Sequence, residues 1–113
     1  MNDLDKLIEA VEADDVPFGG WSILSSQEHI FASEWARQAH NGSLDAAKAL
    51  HEALLPGWVA RPTVGGRAAG VIVWHCTVED WENGEEVHAN NLPDPARAWL
   101  LAILRAYDAE MSP

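Results

Sequence analysis

The spacing of the apolar residues changes twice along this chain, and this change limits the possible folds more than any other feature of the sequence. Before residue 57 the apolar residues recur at helical intervals, which is typical of amphipathic helices. Residues 71–74 are instead a continuous run of β-branched and aromatic side chains, which indicates a strand buried on much of both faces. Helical spacing returns after Asp94. The element order is therefore α-α-α-β-β-(β)-α, and the predicted class is α+β.

Signals at the helix ends support four predicted helices. Asp94 followed by Pro95 is a capping carboxylate with proline at the first helical position. Ser25 and Glu28 match a capping box, and Ser43 is a further N-cap residue. The last helix has a wide apolar face, which predicts burial against the sheet. The predicted helices cover residues 3–13, 26–40, 44–55 and 95–109.

The segment between the helices predicts a small antiparallel sheet of two to three strands. Pro62 is expected to end the first strand, and the glycine pair at 65–66 is expected to form the turn to the second. A second turn is predicted at 81–84. Four helices exceed what one face of so small a sheet holds, which predicts helices on both faces, an alpha/beta/alpha sandwich. The predicted strands cover residues 58–61, 69–78 and 85–89.

The length and the cysteine count restrict the class of protein. A chain of 113 residues predicts one domain over residues 1–113. Folding buries about two-thirds of the surface of such a chain, which provides a core without disulfides or a metal. The single cysteine, Cys76, excludes an intramolecular disulfide and fits a reducing compartment. No apolar run approaches the roughly 18 residues of a membrane span, and no signal peptide is recognisable, so a cytoplasmic protein is expected.

The net charge of −11 is concentrated in two segments. Residues 1–15 carry six carboxylates and one lysine, and residues 79–86 carry five carboxylates and no cation. One interpretation is that this charge serves only solubility. The other is an acidic face that binds a cationic partner. Direct nucleic-acid binding is not expected, because the seven cations are scattered along the sequence.

Catalytic, metal and cofactor sites find little support in the sequence. His75 and Cys76 are neighbours on a strand, so their side chains point to opposite faces and do not share one ion. Cys76 beside Trp74 and Val78 is typical of inert packing. The carboxylates at 79–86 depart from the EF-hand spacing, and the glycine pairs lack a phosphate-binding fingerprint. We therefore expect no catalytic residue, no metal ligand and no cofactor.

One tryptophan lies inside the second acidic segment and is the best candidate for a binding anchor. The chain has six tryptophans, and Trp81 is the one flanked by carboxylates. An aromatic anchor surrounded by carboxylates suits a basic partner, because tryptophan is a frequent hot-spot residue at interfaces. The alternative is that Trp81 closes the edge of the core. The predicted partner-binding residues are Glu79, Asp80, Trp81, Glu82, Glu85 and Glu86.

Three stretches of the chain carry a family resemblance. They are LDKLIEAVEA at 4–13, NGSLDAAKALHEALLPGW at 41–58 and PARAWLLAILRA at 95–106. In this order they resemble the phage alpha-beta-alpha sandwich domain family, small proteins encoded by phages and prophages. The resemblance implies a helix–sheet–helix sandwich and no catalytic residues. The regions without a match, 14–40 and 60–94, are where one member would carry its own function, and the second acidic segment lies there.

The resemblance and the charge together predict a non-enzymatic phage or prophage accessory protein that acts by protein–protein binding in the host cytoplasm. Its expected partner is a host or phage protein with a basic surface, specifically a nucleic-acid-binding defence complex, as for an anti-CRISPR protein that mimics nucleic acid. The alternative is a virion-associated or housekeeping phage protein whose acidity serves only solubility. An enzyme is the third possibility. Both a monomer and a homodimer are compatible with the sequence.

Overall fold

The computed structural model describes residues 3–17, 19–25, 30–68 and 71–111. Within these residues the chain forms helices α1 to α4, a short 3₁₀ helix and strands β1 to β3. The α-helices are α1 (Asp3–Glu12), α2 (Ala32–His40), α3 (Leu44–Leu54) and α4 (Pro95–Met111). The 3₁₀ helix covers Gly20–Leu24, and the strands are β1 (Trp58–Ala68), β2 (Val71–Asp80) and β3 (Glu85–Leu92). The predicted α+β class, the antiparallel sheet and the helix count are confirmed.

Helix α3 and helix α4 begin at the predicted caps. The Ser43 hydroxyl accepts the backbone N–H of Ala46 at 3.1 Å. Asp94 Oδ1 accepts the backbone N–H groups of Ala96 and Arg97 at 2.8 and 3.2 Å. Both caps satisfy N–H groups that have no partner inside the helix, which is why the sequence located these two helix starts well.

The start of α2 differs from the prediction. The described helix begins at Ala32 rather than at residue 26, and Glu28 of the predicted capping box lies outside the described residues. Ser25 instead ends the 3₁₀ helix. Its hydroxyl oxygen accepts the backbone N–H of Ser33 at 3.2 Å and lies 2.6 Å from the Ser33 hydroxyl. Ser25 therefore contacts the first turn of α2 from outside the helix.

The three strands form an antiparallel meander in the order β1-β2-β3. Strand β1 continues through Pro62, which lies opposite Cys76, because an edge strand tolerates a residue without an N–H group. The expected turn at 65–66 is instead an irregularity within β1, where the register shifts between Val64 and Gly66. Gly65 is required there, since a Cβ atom on it would lie 2.1 Å from the His75 ring. The residues that join β1 to β2, 69–70, lie outside the described residues.

Helix α4 is the centre of the fold. Five successive residues of this helix, 100–104, are buried, so α4 is covered on all sides. It packs on all three strands and also on α1, α2 and α3. The described residues therefore form three layers in the order sheet, α4, then the other three helices, whereas the sequence predicts helices on both faces of the sheet. A helix that is apolar all round removes the need for the second face.

The outer face of the sheet, defined as the face that points away from α4, carries polar side chains. On the inner face Cys76, Val78 and Ala89 are fully buried. Because side chains alternate along a strand, Thr77 and Glu79 point outward. No helix in the described residues combines the length and the apolar character needed to cross a lipid bilayer.

Candidate binding site on the acidic hairpin

The acidic hairpin, defined as residues 79–86, consists of the end of β2, the predicted four-residue turn and the start of β3. Asp80 holds this turn. Its Oδ1 accepts the backbone N–H of Glu82 at 3.1 Å, and its Oδ2 accepts the side-chain amide of Asn83 at 2.7 Å. Gly84, with φ of 71°, donates its backbone N–H to the Asp80 carbonyl at 2.7 Å. Asp80 is only 8% exposed, so its carboxylate shapes the turn and does not belong to the exposed set.

Trp81 is exposed at the tip of the acidic hairpin. The residue is 69% exposed, so the indole does not close the edge of the core. Its Nε1–H donates to Glu79 Oε2 at 2.9 Å, which fixes one edge of the ring. An aromatic side chain held in this way loses little further conformational freedom on binding, which favours its use as an anchor.

A guanidinium bridges two opposing carboxylates of the acidic hairpin. Glu79 and Glu86 face each other across β2 and β3. Like charges in this position repel. Arg61 of β1 offsets the repulsion, because its Nη2 lies 2.9 Å from Glu79 Oε2 and 3.7 Å from Glu86 Oε1. We call this arrangement the Arg61 bridge.

His88 extends the Arg61 bridge along β3. Its Nδ1 lies 2.8 Å from the Thr77 hydroxyl, and its Nε2 lies 3.6 Å from Glu86 Oε2. Thr77 and His88 are opposite each other in the register of β2 and β3. A polar network therefore crosses the outer face from the indole of Trp81 through the Arg61 bridge to Thr77.

The remaining two carboxylates of the hairpin are exposed. Glu82 lies in the turn, and Glu85 begins β3 opposite Asp80. Neither forms an ion pair with any cation that the structure describes. The predicted carboxylates thus separate into three roles: Asp80 shapes the turn, Glu79 and Glu86 hold Arg61, and Glu82 and Glu85 face solvent.

Sequence reasoning missed Arg61, Thr77 and His88 as members of this site. The sequence alone places Arg61 among the scattered cations, because it lies far from residues 79–86 along the chain. The alternation of side chains along β1 and β2 carried the missing signal, since Arg61 pairs with Thr77 and is thus diagonal to Glu79. Finding it required the strand register, which the sequence did not supply.

The other residues weighed for chemistry are engaged in packing. Burial raises the pKa of the Cys76 thiol to about 12, so the nucleophilic thiolate is scarce at neutral pH. His51 accepts the Trp99 indole N–H on Nδ1 at 3.1 Å, and its Nε2 donates to the Trp58 carbonyl at 2.8 Å. That histidine links α3, α4 and β1. Among the described residues, no three His, Cys, Asp or Glu side chains converge as metal ligands do.

A second polar cluster, which we call the Arg97 junction, lies among the helices. Arg97 donates from Nε to the His40 carbonyl at 2.6 Å and pairs through Nη1 with Asp14 Oδ2 at 3.2 Å. His40 Nε2 lies 2.8 Å from Asp14 Oδ1. The hydrogen bond from His40, together with the charge of Arg97, lowers the pKa of Asp14 below its ordinary value. The Arg97 junction joins the residues after α1 to the end of α2 and the start of α4.

Comparison with known proteins found no relative of this chain: no family model, no curated protein and no solved structure matches it. The resemblance to the phage alpha-beta-alpha sandwich domain family stays a prediction. The acidic hairpin and its exposed indole therefore provide the support for a function.

Proposed function

We propose that this protein acts without catalysis, by binding a protein partner whose basic surface meets the acidic hairpin. One observation carries the proposal: Trp81 is largely exposed, oriented by Glu79 and flanked by the exposed carboxylates of Glu82 and Glu85. An exposed tryptophan contributes little to the stability of the free protein. Buried at an interface, the same side chain removes a large apolar area from water.

The indole and the carboxylates have different tasks in this binding. The indole contributes affinity by filling a pocket on the partner. The carboxylates accelerate association and make it sensitive to salt, because they attract a basic surface over a distance of about 10 Å at 0.1 M salt. A net charge of −11 strengthens this attraction and disfavours nucleic acid as a direct ligand.

The specific form of the proposal is an anti-defence role. A phage or prophage accessory protein in the host cytoplasm would occupy the basic nucleic-acid groove of a defence complex, and its carboxylates would replace phosphates there. The resemblance to the phage family and the five carboxylates of the acidic hairpin support this form. The partner is then a CRISPR-type complex, whose nucleic-acid channel is positively charged.

A competition experiment tests the anti-defence form. A purified CRISPR effector complex is incubated with labelled target DNA and increasing amounts of the protein, at about 50 mM and about 300 mM salt. We expect displacement of DNA at low salt and much weaker displacement at high salt. Trp81→Ala is expected to weaken displacement by about tenfold or more.

A charge-matched control separates a specific site from general acidity. Glu82→Gln with Glu85→Gln removes two charges from the hairpin, and Glu9→Gln with Glu52→Gln removes two exposed charges from α1 and α3. Weaker displacement by the hairpin pair alone supports the proposal. Equal effects of the two pairs, or no displacement by the wild type, contradict it.

The alternative function is a virion-associated or housekeeping phage protein whose acidity serves only solubility. The observation in its favour is that Glu79 and Asp80 are already engaged within the chain. It predicts that changing Glu79, Glu82, Glu85 and Glu86 together to Gln lowers solubility. In that case displacement and phage fitness both remain unchanged.

A further inference from the structure

The Arg61 bridge is the feature of the outer face that the proposed function leaves unexplained. The geometry points to a binding position for an arginine of the partner, between Glu79, Glu86 and the indole of Trp81, which Arg61 fills in the free protein. This inference rests on the proposed function, and it adds the chemistry of the contact: the partner presents a guanidinium, and Arg61 is its internal competitor.

The two carboxylates form a suitable acceptor for a guanidinium. Glu79 and Glu86 lie directly opposite each other, and one nitrogen of Arg61 contacts both of them, at 2.9 and 3.7 Å. A guanidinium offers five N–H donors in a planar fork, so a single arginine can serve two carboxylates. A lysine ammonium is a compact point charge and lacks that fork.

The indole is placed beside the same position. Glu79 Oε2 accepts the Trp81 Nε1–H at 2.9 Å and forms an ion pair with Arg61 Nη2 at the same distance. The guanidinium and the indole edge therefore meet at one oxygen atom, while most of the ring remains exposed. An arginine entering from solvent finds an acceptor oxygen already oriented by Trp81 and an aromatic ring on which to stack.

Arg61 is displaceable. Its side chain is 50% exposed, and that of Glu86 is 45% exposed. Exposed ion pairs shift an equilibrium by about fivefold or less, so a partner that adds several contacts can replace this one. In contrast, the side chain of Glu79 is only 20% exposed, so the acceptor stays in place when the cation is exchanged.

Charge complementarity decides which occupant fits this unpartnered sheet face. The acidic hairpin carries five carboxylates, and Arg61 contacts two of them, Glu79 and Glu86. Glu82 and Glu85 remain without a cation among the described residues. A protein surface or segment that presents several arginines matches both the Arg61 bridge and these two carboxylates.

Fluorescently labelled octa-arginine and octa-lysine peptides, titrated with the full chain at about 50 mM salt, test the inference. We expect the wild type to bind octa-arginine more tightly than octa-lysine. Arg61→Gln removes the competitor and is expected to bind octa-arginine about threefold to fivefold more tightly. Lys48→Gln removes one exposed positive charge from α3, so it controls for net charge and is expected to match the wild type within about twofold.

Two further variants keep the test decisive. Arg61→Lys keeps the charge and the strand but loses the fork, so we expect affinity between those of the wild type and Arg61→Gln. Glu86→Gln removes one of the two acceptors and is expected to abolish the preference for arginine over lysine. Thermal melts accompany each titration, and a gain in affinity by Arg61→Gln with an unchanged or lower melting temperature excludes a general stabilising effect.

The possible failures are distinguishable. If Arg61→Gln binds no more tightly than Lys48→Gln while the wild type binds both peptides through Trp81, the Arg61 position is wrong and the proposed function stands. If the wild type binds neither peptide, or if Trp81→Ala binds as well as the wild type, the acidic hairpin is not a binding surface. In that case both proposals fail.

Discussion

The Arg97 junction and the Arg61 bridge contain the same kinds of side chain but differ in their exposure to solvent. Each contains an arginine paired with a carboxylate, and each has a tryptophan close by. At the junction the Arg97 side chain is 23% exposed and Trp21 packs against the His40 ring at 5.4 Å. At the bridge the arginine is half exposed and the tryptophan reaches solvent.

The difference lies in what covers each cluster. The Arg97 junction connects the residue Asp14 after α1 with the end of α2 and the start of α4; the Asp14 side chain is 58% exposed, while Arg97 and His40 lie mostly buried between these elements. The Arg61 bridge lies on the outer face, which no described helix covers. Removing the Arg97 side chain leaves the carbonyl of the buried residue His40 without that donor, whereas removing one member of an exposed pair is nearly neutral to stability. The Arg97 junction therefore stabilises the packing of the helices, and the Arg61 bridge is free to take part in binding.

The largest effect that sharpens this comparison is expected from Arg97→Met. The variant removes the charged donor to the carbonyl of the buried residue His40, while the exposed Asp14 carboxylate stays solvated, so we expect a loss of about 2 to 3 kcal/mol in the free energy of unfolding. Urea denaturation measures it. The matched variant Arg61→Met is expected to lose less than about 1 kcal/mol. Equal losses at the two positions would remove the distinction between the clusters.

The two tryptophans provide the next comparison. Trp21 is partly buried against the core, so Trp21→Ala is expected to lower the free energy of unfolding by about 2 kcal/mol. Trp81→Ala removes a side chain that is mostly in water, and we expect a change within about 0.5 kcal/mol. Thermal or urea melts of both variants check this. A large loss from Trp81→Ala would show that the indole supports the fold after all.

Acid titration of stability gives the smallest expected effect. The pKa of Asp14 is lower in the folded chain than its ordinary value of 3.8, because of the His40 hydrogen bond and the Arg97 charge. The contribution of the Asp14 carboxylate to the free energy of unfolding is therefore complete above its unfolded-state pKa and is lost as the pH falls through its folded-state pKa. We expect Asp14→Asn to show a shallower loss of stability below about pH 4 than the wild type.

The control for this titration is Asp15→Asn, which removes an exposed carboxylate one residue away. Asn suits position 14, because the backbone there has φ of 54° and Asn tolerates the left-handed region. If Asp14→Asn and Asp15→Asn give the same acid limb, the carboxylate at 14 is not held by the Arg97 junction.

The sequence predicted the parts of this molecule that depend on local chemistry. The caps at Ser43 and Asp94 were found because an N-cap signal involves residues only two or three positions apart. The layer order was not found, because it depends on α4 being apolar all round and thus able to contact both the sheet and the other helices. The extension of β1 past Pro62 was also missed, since it is allowed only by the position of β1 at the sheet edge.

The candidate site also has a part that the local sequence predicted and a part that depends on contacts between strands. The carboxylates around Trp81 were predicted from neighbouring residues in the sequence, whereas the sequence left open whether the indole is exposed or closes the edge of the core. Asp80 was misplaced in the exposed set, although an aspartate followed by Asn83 and Gly84 is a recognisable turn pattern. Arg61 was missed because its contact with Glu79 is made across two strands, and such a contact depends on register.

The position of the one sulfhydryl has a practical consequence for kinetics. Cys76 is buried among the residues that pack β2 against α4, and its side chain meets no solvent. An alkylating reagent reaches that sulfur only after the sheet and the central helix have separated. Because the chain holds a single cysteine, the rate of alkylation in native buffer reports those openings: their frequency when alkylation outpaces reclosing, and their equilibrium population when reclosing is faster.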